Sequence, residues 1–185
     1  MPLFLVCGPL LELRRQRCAA YEHPEPLEHP DNFHLQSAQG WLELGSHIEA
    51  NEELEKITAQ LRAHPDVLKV RWRVYAKAKR WDACLEIARA PTELEPDKPG
   101  GWIDYAQSLH RLNRTSEAYD LLATEPSRFL EQPIILYHLA VYGCHLHRLW
   151  EAWTWLERAF EIGDPAQIKM KALDDPDLEP LGAEI

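Results

Sequence analysis

Apolar residues recur along this chain at helical spacing, in pairs of short stripes separated by a break. The first stripe of the clearest pair lies on one face of a helix and consists of Leu136, Leu139, Ala140, Gly143 and Leu146. After a break at residues 147–148, the second stripe consists of Ala152, Leu156 and Ala159. Two such helices joined by a short turn form a helical hairpin. Because one hairpin cannot bury its apolar face alone, the pattern predicts that neighbouring hairpins stack.

The pattern repeats without a gap every 34 residues, which is a spacing typical of solenoids built from stacked units. Four segments result, here called repeats 1 to 4: residues 31–64, 65–98, 99–132 and 133–166. Position 8 of the four repeats holds Ala38, Trp72, Ala106 and Ala140, and position 20 holds Ala50, Cys84, Ala118 and Ala152. Small residues at both positions allow the two helices of a hairpin to approach closely.

Repeat 2 departs from this pattern, with a large residue at position 8 and Ala88 where the other repeats have Leu at position 24. We therefore expect Trp72 to fill the space that Leu occupies elsewhere, with Ala88 opposite it. Pro91 and Pro126 lie late in second helices, which we expect to kink or to stop early. At position 15, Gly45 and Asn113 suit the left-handed backbone that often ends a helix.

The chain resembles the tetratricopeptide repeat family. Repeats 3 and 4 carry the resemblance at Trp102, Ala106, Ala118, Leu122, Leu136, Leu139, Ala140, Ala152, Leu156 and Ala159, and repeat 2 adds Leu68, Tyr75, Trp81 and Pro96. The resemblance implies an all-α fold: a right-handed α-solenoid of tetratricopeptide-type helical hairpins with a short C-terminal capping helix. Residues 167–185 are expected to form this capping helix and a tail. Residues 1–30 fit no repeat and are expected to be a poorly ordered extension or a short capping helix.

Composition limits the function. The 20 Lys and Arg residues stand against 30 Asp and Glu residues, for a net charge of −10, which argues against nucleic acid as the partner. The four cysteines are far apart and do not form a disulfide pattern, as expected for a cytoplasmic protein. The apolar run at residues 2–13 is too short to cross a membrane. No catalytic signature is found, so we expect no enzymatic activity and no cofactor.

The family's binding groove is the better functional candidate. The resemblance implies that the first helix of each repeat lines a concave face through positions 2, 5, 9, 12 and 13. The candidate peptide-binding residues at these positions are Lys69, Arg73, Lys77, Ile103, Gln107, His110, Arg111, Ile134, Tyr137 and Val141. The family's carboxylate clamp for chaperone tails is poorly matched, since Arg73 stands where an Asn is expected and Asp104 and His138 occupy position 6.

These residues predict a non-catalytic scaffold that binds a peptide segment of a protein partner. Lys69, Arg73 and Lys77 form a basic stripe, beside which Ile134, Tyr137 and Val141 form an apolar strip. We therefore expect a short acidic-apolar segment as the ligand, with Tyr137 as the main anchor. The alternative is a metal-binding or catalytic accessory protein that uses a His110/Cys144/His145 cluster. Neither the partner's identity nor the oligomeric state can be read from the sequence.

Overall fold

A computed structural model describes residues 25–124 and 129–182, and this part of the chain contains helices but no strand. Nine α-helices are present there, in four hairpins followed by one further helix. The hairpins consist of α1 (Asp31–Glu43) and α2 (His47–Lys56), α3 (Pro65–Lys77) and α4 (Trp81–Leu94), α5 (Pro99–Arg111) and α6 (Thr115–Thr124), and α7 (Pro133–His145) and α8 (Leu149–Ile162). The further helix is α9 (Pro165–Leu173), and short 3₁₀ helices lie at Ala59–Leu61 and Pro176–Leu181. The predicted all-α solenoid is confirmed.

The helix bounds keep the phase of the sequence pattern. The four first helices begin at Asp31, Pro65, Pro99 and Pro133, and each is 13 residues long. Three of these starts are Pro, which is tolerated in a first turn because its missing N–H would have no partner there. Between the helices of each hairpin, position 15 has a positive φ: 83° at Gly45, 56° at Lys79, 61° at Asn113 and 59° at His147. The left-handed turn is therefore used even where the residue is neither Gly nor Asn.

The small residues at positions 8 and 20 lie between the helices as predicted. Ala38, Ala50, Ala106, Ala118, Ala140 and Ala152 are all fully buried. In repeat 4 the approach is especially close, since a Cβ atom added to Gly143 would lie 2.9 Å from the Cβ of Ala152. Any side chain at Gly143 would therefore push α7 away from α8.

The exchange predicted for repeat 2 is present. Trp72, Cys84 and Ala88 form one buried cluster, so the large residue at position 8 packs together with the small residue at position 24. The structure adds a polar contact that the sequence did not predict: Trp72 Nε1 donates a 2.9 Å hydrogen bond to Oγ of the fully buried Ser108. This bond satisfies an indole N–H that would otherwise be buried without a partner.

Pro91 does not stop α4 early, because the helix continues to Leu94 and ends when the Glu95 N–H donates to the Pro91 carbonyl. The pyrrolidine ring fits because Gly101 faces it: a Cβ atom on Gly101 would lie 2.9 Å from the Cβ of Pro91. Of the two outcomes expected at Pro91, a kink or an early stop, the early stop is therefore wrong. Pro126 lies outside the described residues.

The capping helix α9 is present after repeat 4, and the Asp164 side chain accepts hydrogen bonds from the first N–H groups of this helix. The chain then turns back, and the 3₁₀ helix Pro176–Leu181 packs against α7. Of the N-terminal extension, residues 25–30 are described, and His64 Nε2 lies 3.1 Å from the Glu25 carbonyl oxygen. The rest of the predicted extension lies outside the described residues. No helix in the described ranges is both long enough and apolar enough to cross a bilayer.

Candidate peptide-binding groove

The basic stripe of repeat 2 is open to solvent. Lys69, Arg73 and Lys77 lie on α3 at intervals of four residues, which places them along one face of the helix, and all three are exposed. Three exposed positive charges on a chain of net charge −10 give this face a local potential opposite to that of the whole molecule. Such a face attracts acidic groups of a partner over a distance of roughly one Debye length, about 8–10 Å.

Asp104 lies next to this stripe on α5 and is the least expected residue of the site. Its side chain is half-buried, and burial raises the pKa of its carboxyl to about 7, although Lys69 and Arg73 act in the opposite direction. The two cations are therefore close enough to affect the carboxyl but do not form a short ion pair with it. The charge on the Asp104 carboxyl therefore changes with pH near neutrality. The net charge of the region formed by Asp104, Lys69 and Arg73 changes with it.

The predicted groove residues of repeat 3 are less exposed than those of repeat 2. Ile103, Gln107 and His110 are half-buried, while Arg111 is exposed. The Arg111 guanidinium lies 5.8 Å from the ring centroid of Trp81, within the range of a cation–π contact. This contact joins Arg111 of α5 to the first residue of α4, so repeat 3 adds one exposed cation to those of repeat 2.

The apolar strip of repeat 4 is mostly covered by the chain itself. Ile134 is 39% exposed, whereas Tyr137 and Val141 are 3% and 6% exposed. The Tyr137 hydroxyl donates a 2.6 Å hydrogen bond to Oδ2 of Asp175, and the Lys171 ammonium lies 4.0 Å from the centroid of the Tyr137 ring. The segment that follows α9 therefore contacts position 5 of repeat 4 and shares a buried apolar cluster with position 9. The same two positions are exposed or half-buried in repeats 2 and 3.

The covering segment, residues 174–181, is here called the tail segment. It reads Asp-Asp-Pro-Asp-Leu-Glu-Pro-Leu and thus combines acidic side chains with apolar ones. Leu178 is fully buried and Leu181 is 3% exposed, and both belong to the same apolar cluster as Tyr137 and Val141. The tail segment is an acidic-apolar peptide, the chemistry expected of the partner, and it is packed on the predicted binding positions of repeat 4.

The histidine cluster differs in membership from the one that the sequence suggested. His110 and His145 come together at the ends of α5 and α7, with ring centroids 4.6 Å apart. The third potential ligand beside them is the Asp177 carboxylate, because one ligand atom of each of these three residues lies within 4.8 Å of the others. Cys144 is buried instead, and burial raises the pKa of its thiol to about 11. A protonated, buried thiol is a poor metal ligand.

His138, at position 6 of repeat 4, has a packing role. Burial lowers the pKa of its imidazole to about 4, so the ring is neutral at physiological pH. It lies between Tyr137 and Tyr142, with ring centroids 6.2 and 5.9 Å away. His138 therefore packs against two tyrosine rings and carries no positive charge at physiological pH.

The fold has counterparts among solved structures. The chain is similar to MamA MSR-1 (TM-score 0.60, 16% identity, covering 86% of this chain and 90% of that one). It is also similar to MamA AMB-1 (TM-score 0.58, 18% identity, covering 72% and 78%) and to a point mutant of MamA (TM-score 0.57, 17% identity, covering 80% and 85%). MamA contains tetratricopeptide repeats, and at these identities the likeness establishes the fold. No family model and no curated protein matches the sequence.

Proposed function

We propose that this protein is a non-catalytic interaction scaffold whose concave groove binds a peptide segment of a protein partner. The observation that carries the proposal is the juxtaposition of two parts of one groove. At repeat 4 the chain's own acidic-apolar tail segment is held by the Tyr137–Asp175 hydrogen bond and by the apolar cluster that contains Val141, Leu178 and Leu181. Over repeat 2 the corresponding positions expose Lys69, Arg73 and Lys77.

The partner segment is of the same class as the tail segment, acidic and apolar in alternation. Its carboxylates pair with Lys69, Arg73 and Lys77, and its apolar side chains contact Ile103 and Ile134. Exposed charge pairs contribute mainly to the rate of association, while buried apolar contacts contribute most of the affinity. Gln107 and Arg111 lie between the two kinds of contact and offer hydrogen bonds to the ligand backbone.

Tyr137 and Val141 were expected from the sequence to contact the partner, but in this proposal they bind the chain's own tail segment. Since the tail segment covers both side chains, they anchor the tail in the described state, and a partner reaches them when the tail withdraws. The open part of the groove is therefore formed by repeats 2 and 3 together with Ile134.

The test is capture of a partner from native lysate, compared between two double variants. Lys69→Glu/Arg73→Glu reverses the stripe, and Arg158→Glu/Lys169→Glu makes the same change in net charge at exposed positions of α8 and α9. The first variant is expected to lose the partner, and the control is expected to keep it. Equal capture by both folded variants would contradict a site on the first helices.

A further inference from the structure

Three side chains with metal-ligand chemistry converge where the groove meets the tail segment. His110 lies at the end of α5, His145 at the end of α7, and Asp177 within the 3₁₀ helix of the tail. One ligand atom of each lies within 4.8 Å of the other two. The shortest distance is 3.1 Å, between His145 Nε2 and Asp177 Oδ1. The three residues come from distant parts of the sequence, so the fold and not the local sequence brings them together.

The spacing of these atoms suits a single small cation. Ligand atoms about 2.0–2.1 Å from a tetrahedral zinc ion lie roughly 3.3 Å from each other. The His145–Asp177 distance of 3.1 Å is already close to this spacing. The His110 ligand atom lies within 4.8 Å of the other two, so at most a small side-chain adjustment brings all three atoms to this spacing.

The orientation of His110 is fixed by a neighbour. Its Nδ1 atom lies 3.1 Å from the Thr115 hydroxyl oxygen, so Nε2 is the atom left for a ligand. Metal-binding histidines usually have their second ring nitrogen held by such a hydrogen bond, which sets the tautomer and the ring plane. An ordinary ion pair between His145 and Asp177 accounts for those two side chains, but it does not account for the second imidazole placed edge-on against the first.

We propose that His110, His145 and Asp177 form a binding site for a late first-row divalent cation such as Zn²⁺, and that the ion fastens the tail segment to α7. Two imidazoles and one carboxylate are a common ligand set for such ions. Water completes the coordination, because His145 and Asp177 are 39% and 34% exposed at their side chains. With three protein ligands and an open side, the ion exchanges with solution and is removed by chelators.

The experiment titrates Zn²⁺ and Co²⁺ into the full, tag-free chain after chelation, with calorimetry for affinity and absorption spectra for Co²⁺ geometry. One ion per chain is expected. His145→Gln and Asp177→Asn are each expected to weaken binding by about tenfold or more. His147→Asn is the matched control, because His147 is exposed nearby and Asn tolerates its left-handed backbone. Cys144→Ser is expected to leave the affinity unchanged, and the Co²⁺ spectrum is expected to lack thiolate charge transfer.

Amide hydrogen exchange is a second measurement, which reports on the tail segment directly. Zn²⁺ is expected to slow amide hydrogen exchange in residues 174–182 of the unaltered chain and to have no such effect in Asp177→Asn. The proposal is overturned if no binding is detected at about 100 µM ion, or if His147→Asn weakens binding as much as His145→Gln. It is also overturned if Zn²⁺ does not slow amide hydrogen exchange in the tail segment. Because the ion is the only probe, these outcomes do not depend on the proposed binding of a protein partner.

Discussion

The Tyr137 hydroxyl donates a hydrogen bond of 2.6 Å to the Asp175 carboxylate and so joins the groove of repeat 4 to the tail segment. The bond crosses 38 residues of sequence and lies at the edge of the buried cluster that contains Leu178 and Leu181. Burial and the Asp175 carboxylate both raise the pKa of Tyr137, so the phenol stays protonated and remains the donor. Helix α7 and the tail segment are therefore one packed unit.

Tyr137→Phe removes this hydrogen bond and leaves the ring in place. The free energy of unfolding is expected to fall by about 1.5–3 kcal/mol, as for the loss of a hydrogen bond to a charged acceptor. The Lys171–ring contact, 4.0 Å long, does not need the hydroxyl and is retained. Urea unfolding followed by circular dichroism measures the loss, and hydrogen exchange is expected to be faster in residues 174–182.

The matched control is Tyr142→Phe. Its hydroxyl is buried without a hydrogen-bond partner among the described residues. Removing an unsatisfied buried hydroxyl costs little and can stabilise a protein. If Tyr142→Phe destabilises the chain as much as Tyr137→Phe, the bond to Asp175 is not the cause of the effect.

The packing of repeat 2 predicts that Ala88→Leu compensates in part for the stability lost in Trp72→Ala. Trp72→Ala is expected to cost about 3–5 kcal/mol, as large aromatic truncations in cores do. Adding Ala88→Leu is expected to restore part of this loss, because Ala88 borders the space that the indole leaves. Thermal and urea unfolding of the single and double variants measure both steps. A double variant no more stable than Trp72→Ala would contradict the exchange of large and small residues.

Asp104 predicts a dependence of stability on pH. The pKa of its carboxyl is about 7 in the folded chain, against an ordinary value of 3.8, so the folded chain binds more protons than the unfolded chain between these two values. The contribution of this carboxyl to the free energy of unfolding therefore falls as the pH rises from about 4 to about 7. Asp104→Asn removes the charge and keeps the shape of the side chain.

Asp104→Asn is expected to stabilise the chain by on the order of 1–3 kcal/mol at pH 8 and to change little at pH 4, where the carboxyl is already protonated in the folded chain. Urea unfolding at the two pH values measures the difference. Asp120→Asn, at an exposed position of α6, is the control and is expected to show no such dependence. The same gain at both pH values would mean that Asp104 is not buried as described.

The repeat pattern predicted the helices well because it depends on local rules. The left-handed backbone at position 15 was predicted from Gly45 and Asn113. Lys79 and His147 adopt the same conformation although their side chains disfavour it. The repeated packing of the hairpins imposes that conformation where the residue does not favour it.

The tail segment could not be predicted in the same way. Leu178 and Leu181 follow no repeat position, and their burial depends on where α9 directs the chain. The path of the chain after α9 brings the tail segment onto Tyr137 and places Asp177 beside two histidines. These contacts therefore depend on the tertiary fold and could not be predicted from local sequence patterns. Asp104 shows the same limit, since its perturbed pKa results from burial that the sequence does not reveal.

The most direct test of the account is to locate a bound partner on the surface. A photo-crosslinking amino acid at Gln107, a half-buried position of α5, is compared with one at Arg158 on α8. We predict an adduct at Gln107 with an acidic-apolar segment of a protein, its loss in Lys69→Glu/Arg73→Glu, and no adduct at Arg158. An adduct at Arg158 without one at Gln107 would contradict binding in the groove.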